Sequence, residues 1–164
     1  MRFKAKQNND PKFNSPNELD YFMTGFNYID FTYLMSPEQV YKMESGSCHD
    51  LALFEYNELT KQGLYPAIKF LIAVDEDGIG GETHSFVYYK EGNTFYWFEN
   101  AWKDYEGIHE FDTEQELLEY VLDAFTERNP RKYIFMADFK PEEHKYGEDL
   151  ETLVDICMNY AVQM

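Results

Sequence analysis

Three residue types that together can activate sulfur for acyl chemistry occur along the chain in the order cysteine, histidine, acid: Cys48, His84 and then Glu99 or Asn100. Cys48 sits in Gly46-Ser47-Cys48-His49-Asp50, and Leu51, Leu53, Phe54, Tyr56 and Leu59 follow, so the pattern predicts a helix that opens at Cys48 and closes at Gly63. The first turn of a helix presents unpaired N–H groups and the positive end of the macrodipole, which favour a thiolate over a thiol. A thiolate nucleophile needs a base and a group that orients the base. The segment Thr83-His84-Ser85-Phe86-Val87-Tyr88-Tyr89 alternates like a strand and carries His84 near its start. After the turn Lys90-Glu91-Gly92-Asn93, the second strand Thr94-Phe95-Tyr96-Trp97-Phe98-Glu99-Asn100 ends in two residues able to bind an imidazole N–H. Neighbours on a strand face opposite sides, so only one of Glu99 and Asn100 can turn towards His84. In such a triad His84 takes the Cys48 proton, the third residue fixes the imidazole tautomer, and the Cys48 backbone N–H supplies one oxyanion donor. Attack on an acyl carbon yields a thioester, which water hydrolyses and an amine converts to a new amide.

These residues resemble the transglutaminase-like group of the papain-like cysteine-protease superfamily, in which a Gly-x-Cys-x-Asp segment opens the nucleophile helix. There a His followed by an aromatic or apolar residue starts a strand, and the next strand ends in Asp. The matching pieces are Gly46-Ser47-Cys48-His49-Asp50, His84-Ser85-Phe86-Val87 and Phe95-Tyr96-Trp97-Phe98-Glu99. With Ser36-Pro37-Glu38-Gln39-Val40 and Tyr96-Trp97-Phe98-Glu99-Asn100-Ala101-Trp102 added, the chain is similar to a small bacterial and phage-associated branch, over roughly residues 15 to 125. The third member departs from the usual Asp. Phe95 can stand where the group has a tryptophan four residues before its acid, which places Glu99 at the acid position and leaves Asn100 as the alternative. The resemblance implies an α+β fold of the papain-like type, an antiparallel sheet packed against a nucleophile helix. It also implies a thiol-dependent enzyme that hydrolyses a peptide or amide bond, with transamidation or deamidation as alternatives, and no cofactor. Gly46, Ser47, His49, Tyr96, Trp97 and Trp102 are the expected lining of its substrate groove.

The elements that must hold these groups are legible in the local patterns. Residues 1 to 14 read as a polar N-terminal segment and 15 to 164 as one domain. Ser15-Pro16-Asn17-Glu18 and Ser36-Pro37-Glu38-Gln39 are helix-start signatures, the first helix ending near Gly25 and the second breaking at Ser45-Gly46. Residues 26 to 35 read as a short strand or an ordered loop. The second helix delivers the chain to Cys48, with Gly46 expected to let backbone approach a substrate carbonyl. Residues 64 to 74 form a strand with Pro66 at its entry, and the Gly-rich loop 75 to 82 is expected to cross the mouth of the site. Residues 102 to 111 are expected to line one groove wall. Asp112-Thr113-Glu114-Gln115 opens a helix with Leu117, Leu118, Val121, Leu122 and Phe125 on one face. A strand at 133 to 137 and a helix carrying Leu150, Leu153, Val154, Cys157, Tyr160 and Ala161 complete the chain.

Composition bounds the function. A chain of 164 residues with 44% hydrophobic and 18% aromatic content can build one substantial core. Its formal charge of −17 repels phosphate backbones and anionic membranes, so nucleic acid and membrane are not expected partners, whereas a basic peptide or protein would be attracted. Two cysteines do not make a disulfide scaffold, which together with the absence of a signal-like segment points to the cytoplasm. Cys157 reads as a small core hydrophobe. Asp75, Asp77 and Gly78 lack the spacing of a calcium loop, and no cysteine–histidine spacing suits zinc, so no metal is expected. His49 either touches substrate beside the nucleophile or faces solvent from its helix, and His109 and His144 are expected at the surface. Two non-enzymatic readings stand beside catalysis. One is a silent peptide-binding module anchored by Tyr96, Trp97 and Trp102, and the other an acidic mobile-element protein that occupies a basic surface.

Overall fold

Each helix begins where a short polar side chain can accept from a backbone N–H three residues on, and this fixes the element boundaries in the computed structural model, which describes residues 12–30, 32–78 and 80–164. Most of the polar segment expected at the N-terminus therefore lies outside the described residues, as do Phe31 and Ile79 within two of the expected loops. Helix α1 (Pro16–Met23) is capped by Ser15, α2 (Pro37–Met43) by a reciprocal Ser36–Gln39 box, and α3 (Cys48–Lys61) by Ser47 with Asp50 reaching back. Thr113 caps α4 (Glu114–Arg128) and Asp149 caps α5 (Leu150–Met158).

Eight strands accompany them: β1 (Asn27–Tyr28), β2 (Ser45–Gly46), β3 (Ala67–Val74), β4 (Gly80–Glu91), β5 (Thr94–Glu99), β6 (Gly107–Phe111), β7 (Tyr133–Asp138) and β8 (Val162–Gln163). Six of them form one antiparallel sheet in the order β6-β5-β4-β3-β7-β8, while β1 and β2 make a separate parallel pair. The fold is thus α+β. Period-2 alternation splits the sheet residues between two cores. Ile68, Phe70, Ile72, Val87 and Phe98 pack with α1, α2, α3 and α5 on one face. Leu71, Ala73, Phe86, Trp97 and Met136 pack with Leu117, Val121 and Phe125 of α4 on the other.

Three expectations are corrected. Residues 107–111, expected as groove wall, form the edge strand β6, paired with β5 from Phe95/Phe111 to Glu99/Gly107. The glycines expected to carry a loop across the site begin β4 instead. A Cβ on Gly81 would sit 2.8 Å from the Ala73 carbonyl oxygen, so a close approach of two strands demands glycine there. The last helix is also shorter than its apolar pattern implied, ending at Met158 before the chain turns back as β8 against β7.

One break in the sheet positions the site. Strands β4 and β5 are paired from Glu91/Thr94 only as far as Val87/Phe98. Beyond that point β4 continues along β3 alone, with His84 opposite Leu71 and Thr83 opposite Ile72. The first turn of α3 meets β4 in this unpaired half, where the Cys48 Sγ lies 3.9 Å from the Thr83 carbonyl oxygen.

Candidate active site

The nucleophile turn is held by Asp50. Its Oδ1 accepts from Met35 N at 2.7 Å, and its Oδ2 accepts from both the backbone N and the hydroxyl of Ser47 at 2.9 Å. A Cβ on Gly46 would stand 2.8 Å from the Asp50 Cβ, so glycine is required by this packing. That corrects the expectation that Gly46 makes room for substrate; both it and Ser47 are buried. Cys48 is the first residue of α3, which leaves its N–H without an intrahelical acceptor, and its side chain is 4% exposed.

His84 and Glu99 lie on the α4 face of the sheet, as register requires: Glu99 follows Trp97 by two, and both share the face of Phe86. Glu99 Oε1 stands 2.8 Å from His84 Nε2, and its Oε2 accepts from the backbone N–H groups of Ala101 and Trp102 at 2.8 and 3.0 Å. The carboxylate is anchored by backbone and in turn anchors the ring. Trp102 covers the imidazole face, with centroids 3.8 Å apart and planes 10° from parallel. With Nε2 engaged by Glu99, Nδ1 is the ring nitrogen left for another partner, and the Cys48 side chain adds to the field at the ring. Burial opposes protonation of His84, but the Glu99 carboxylate and the hydrogen bonds to Cys48 and Glu99 outweigh it, and the pKa is raised from 6.5 to about 9. A charged imidazolium beside the sulfur is the counter-ion that a thiolate needs.

Asn100 points the other way. Its Nδ2 lies 3.8 Å from Met23 Sδ, on the side of the buried Glu55 of α3. Burial, then the charge of Glu99, holds the Glu55 carboxyl well above the usual carboxylate range. Of the two candidates, Glu99 is therefore the one brought to His84.

Compared with known proteins, the chain matches no family model and no curated relative.

Several expected groove residues lie elsewhere. His49 neither lines a groove nor faces solvent. It is 5% exposed, with Nδ1 2.6 Å from Ser85 Oγ and Nε2 3.2 Å from Thr83 Oγ1, so it pins α3 to β4. Burial lowers its pKa to about 4, and Asp50 and Asp30 oppose that only in part. Trp97 is 0% exposed in the α4-side core, and Tyr96 stacks on Tyr89 against the other core. Only Trp102 of the three aromatics reaches the cleft. That cleft, of about 540 Å³, is lined by Tyr28, Glu82, Thr83, His84, Trp102 and Arg128 among others. Cys48 is not part of that lining and lies behind it, against the Thr83 carbonyl. Tyr28 had no signal beyond its type, because its relation to Cys48 depends on the pairing of β1 with β2, which places it beside Gly46.

A second constellation of the same residue types supplies a contrast. Cys157 Sγ lies 3.9 Å from His144 Nε2, and His144 Nδ1 is 3.4 Å from Glu148. His144, expected at the surface, is instead packed on Phe139 with centroids 4.3 Å apart. Cys157 sits at the C-terminal end of α5, where the dipole disfavours an anion. Burial, then Glu148 and Glu143, pushes its thiol up to about 12. It remains a core residue. Among the described residues no cluster of three or more ligands suits a metal, and no helix is long and apolar enough to cross a membrane.

Proposed function

We propose that the protein is a thiol-dependent acyl-transfer enzyme with Cys48 as nucleophile, His84 as acid and base, and Glu99 as orienting group, and that it hydrolyses a peptide or amide bond. The observation that carries this reading is the buried His84, fixed by Glu99 on one nitrogen and adjacent along β4 to Thr83, whose carbonyl oxygen the Cys48 sulfur in the first turn of α3 approaches at 3.9 Å. The α+β architecture, with α3 against an antiparallel sheet, fits a transglutaminase-like variant of the papain-like fold. Fold alone does not assign the reaction.

The cleft supports a basic substrate. Asp30, Glu82 and Asp104 line it against Lys103 and Arg128. Lys103 is already engaged by the Phe26 carbonyl and Glu106, and Arg128 by Glu82 and the Trp102 ring. With Glu82 held by Arg128 and Asn129, Asp30 and Asp104 are left to meet an incoming cation. The binding-module reading loses support, since Trp97 is buried and the half-buried Tyr96 packs on Tyr89 away from the cleft. The test compares alkylation by iodoacetamide with turnover of p-nitrophenyl acetate. Cys48 should alkylate far faster than Cys157, and turnover should vanish in Cys48→Ala and fall steeply in His84→Ala. Equal modification of both cysteines, with no turnover, overturns the assignment.

A further inference from the structure

Acyl transfer through Cys48 requires more than one donor for the charge that develops on the acyl oxygen, and the helix start accounts for only the Cys48 N–H. Tyr28 occupies the place where a second donor is needed. Its backbone is paired with the segment that leads into the nucleophile: Tyr28 is in register with Gly46, and the neighbouring Ile29 N donates to the Gly46 carbonyl at 3.0 Å. The side chain lies on the cleft wall with Asp30, Thr83 and His84, 43% exposed, and the Cys48 sulfur and the Asp30 carboxylate both bear on its phenol. A phenol that lines the cleft beside His84, on a strand in register with Gly46, can bring its O–H to the space beside the nucleophile.

We infer that Tyr28 is a catalytic residue of this site, its hydroxyl acting with the Cys48 backbone N–H as the oxyanion donor pair. The assignment rests on the acyl-transfer reading above. When the Cys48 thiolate adds to the acyl carbon, the carbonyl π pair moves onto oxygen, and the Tyr28 O–H turns from sulfur and Asp30 to that oxygen. Asp30, at the cleft, exchanges the lost hydrogen bond for water. The pair then returns, the carbon–nitrogen bond breaks, and the amine leaves with the proton carried by His84. Water attacks the thioester and gives a proton back to His84, and the thiolate departs, releasing the acid. Tyr28 donates hydrogen bonds throughout and transfers no proton. Burial, then the charge of Cys48 and the bond to Asp30, holds its pKa far above the ordinary phenol value, so the O–H is intact at any working pH.

Two probes separate this role from a latch that merely shields the thiol. Iodoacetamide reacts at a saturated carbon and forms no oxyanion, whereas acylation by p-nitrophenyl acetate does. Tyr28→Phe keeps the ring and should alkylate at Cys48 close to the wild-type rate. Its maximal acylation rate should drop by roughly 100-fold, the lower end of what one lost oxyanion donor costs, with little change in KM. Faster alkylation with undiminished acylation would make Tyr28 a latch, and parallel loss of both rates would make it structural; either outcome overturns the assignment. A wild-type protein that alkylates selectively at Cys48 yet never acylates overturns the acyl-transfer reading and Tyr28's role together. A wild-type protein that acylates while Tyr28→Phe keeps pace overturns only the latter.

Discussion

Replacing Glu99 by Gln removes the charge that holds a proton on His84 while keeping a side chain of the same shape. In the native protein burial pulls the His84 pKa down and Glu99 more than reverses it, to about 9. Without the carboxylate, burial acts against only the smaller contribution of Cys48, and the pKa should fall below the ordinary 6.5. The difference of at least about 2.5 pH units corresponds to about 3 kcal/mol at 1.36 kcal/mol per unit. The assay is an NMR titration of the ring resonances. Four histidines make the spectrum tractable, and a His84→Gln sample assigns the signal. The same linkage appears in stability. A raised folded-state pKa contributes fully below pH 6.5, and that contribution is lost as pH rises through about 9. Glu55 is a second buried group whose ionisation lowers stability in the same direction, so unfolding by urea is compared in a Glu55→Gln background. There the stability advantage of the protein with Glu99 over its Glu99→Gln variant should shrink by up to about 3 kcal/mol between pH 6.5 and 9. A native ring that titrates near 6.5, or one still near 9 after Glu99→Gln, refutes the ion-pair account.

Further outcomes follow from neighbouring contacts. His49, lowered to about 4 by burial, binds its proton less tightly folded than unfolded, so its contribution is intact above pH 6.5 and fades towards pH 4. His49→Gln should remove up to about 3 kcal/mol of that acid-side slope in urea unfolding, and an unchanged slope counts against a neutral buried ring. Gly46→Ala should cost roughly 1–3 kcal/mol, because the added methyl must displace Asp50 from Met35 and Ser47; a neutral substitution in urea unfolding would refute the packing. Asn100→Ala should leave the His84 titration near 9 while destabilising the fold by about 1–3 kcal/mol, since it empties buried space beside Met23. A collapse of the His84 pKa in this variant would return Asn100 to the triad.

What could be read from the chain was local. Serine, threonine and aspartate caps, Pro16 and Pro37 at N1 positions, and the hairpin turn around Gly92 are short-range signals, and they bracket α1 to α4 and β4–β5 closely. Period-2 alternation was enough to say that Glu99 and Asn100 diverge, but choosing between them needed the register of β5 against β4. The misplaced residues depend on partners far along the chain. His49 looks like any polar helix residue until Ser85 and Thr83 are brought against it. Trp97 looks like an aromatic anchor until α4 covers its face. Residues 107–111 and 162–163 are too short and mixed to declare themselves as strands before a sheet edge is there to receive them.

The parting of β4 from β5 has a consequence for how the molecule matures. Sulfur arrives from a helix on one side of the sheet, while the ring and its carboxylate belong to the layer on the other, and they meet only through the fork. Neither half of the molecule holds the chemistry alone. A collapsed intermediate with both layers formed but undocked would lack the proposed site, so the reactivity proposed for Cys48 should emerge last in refolding, as a timer for complete assembly.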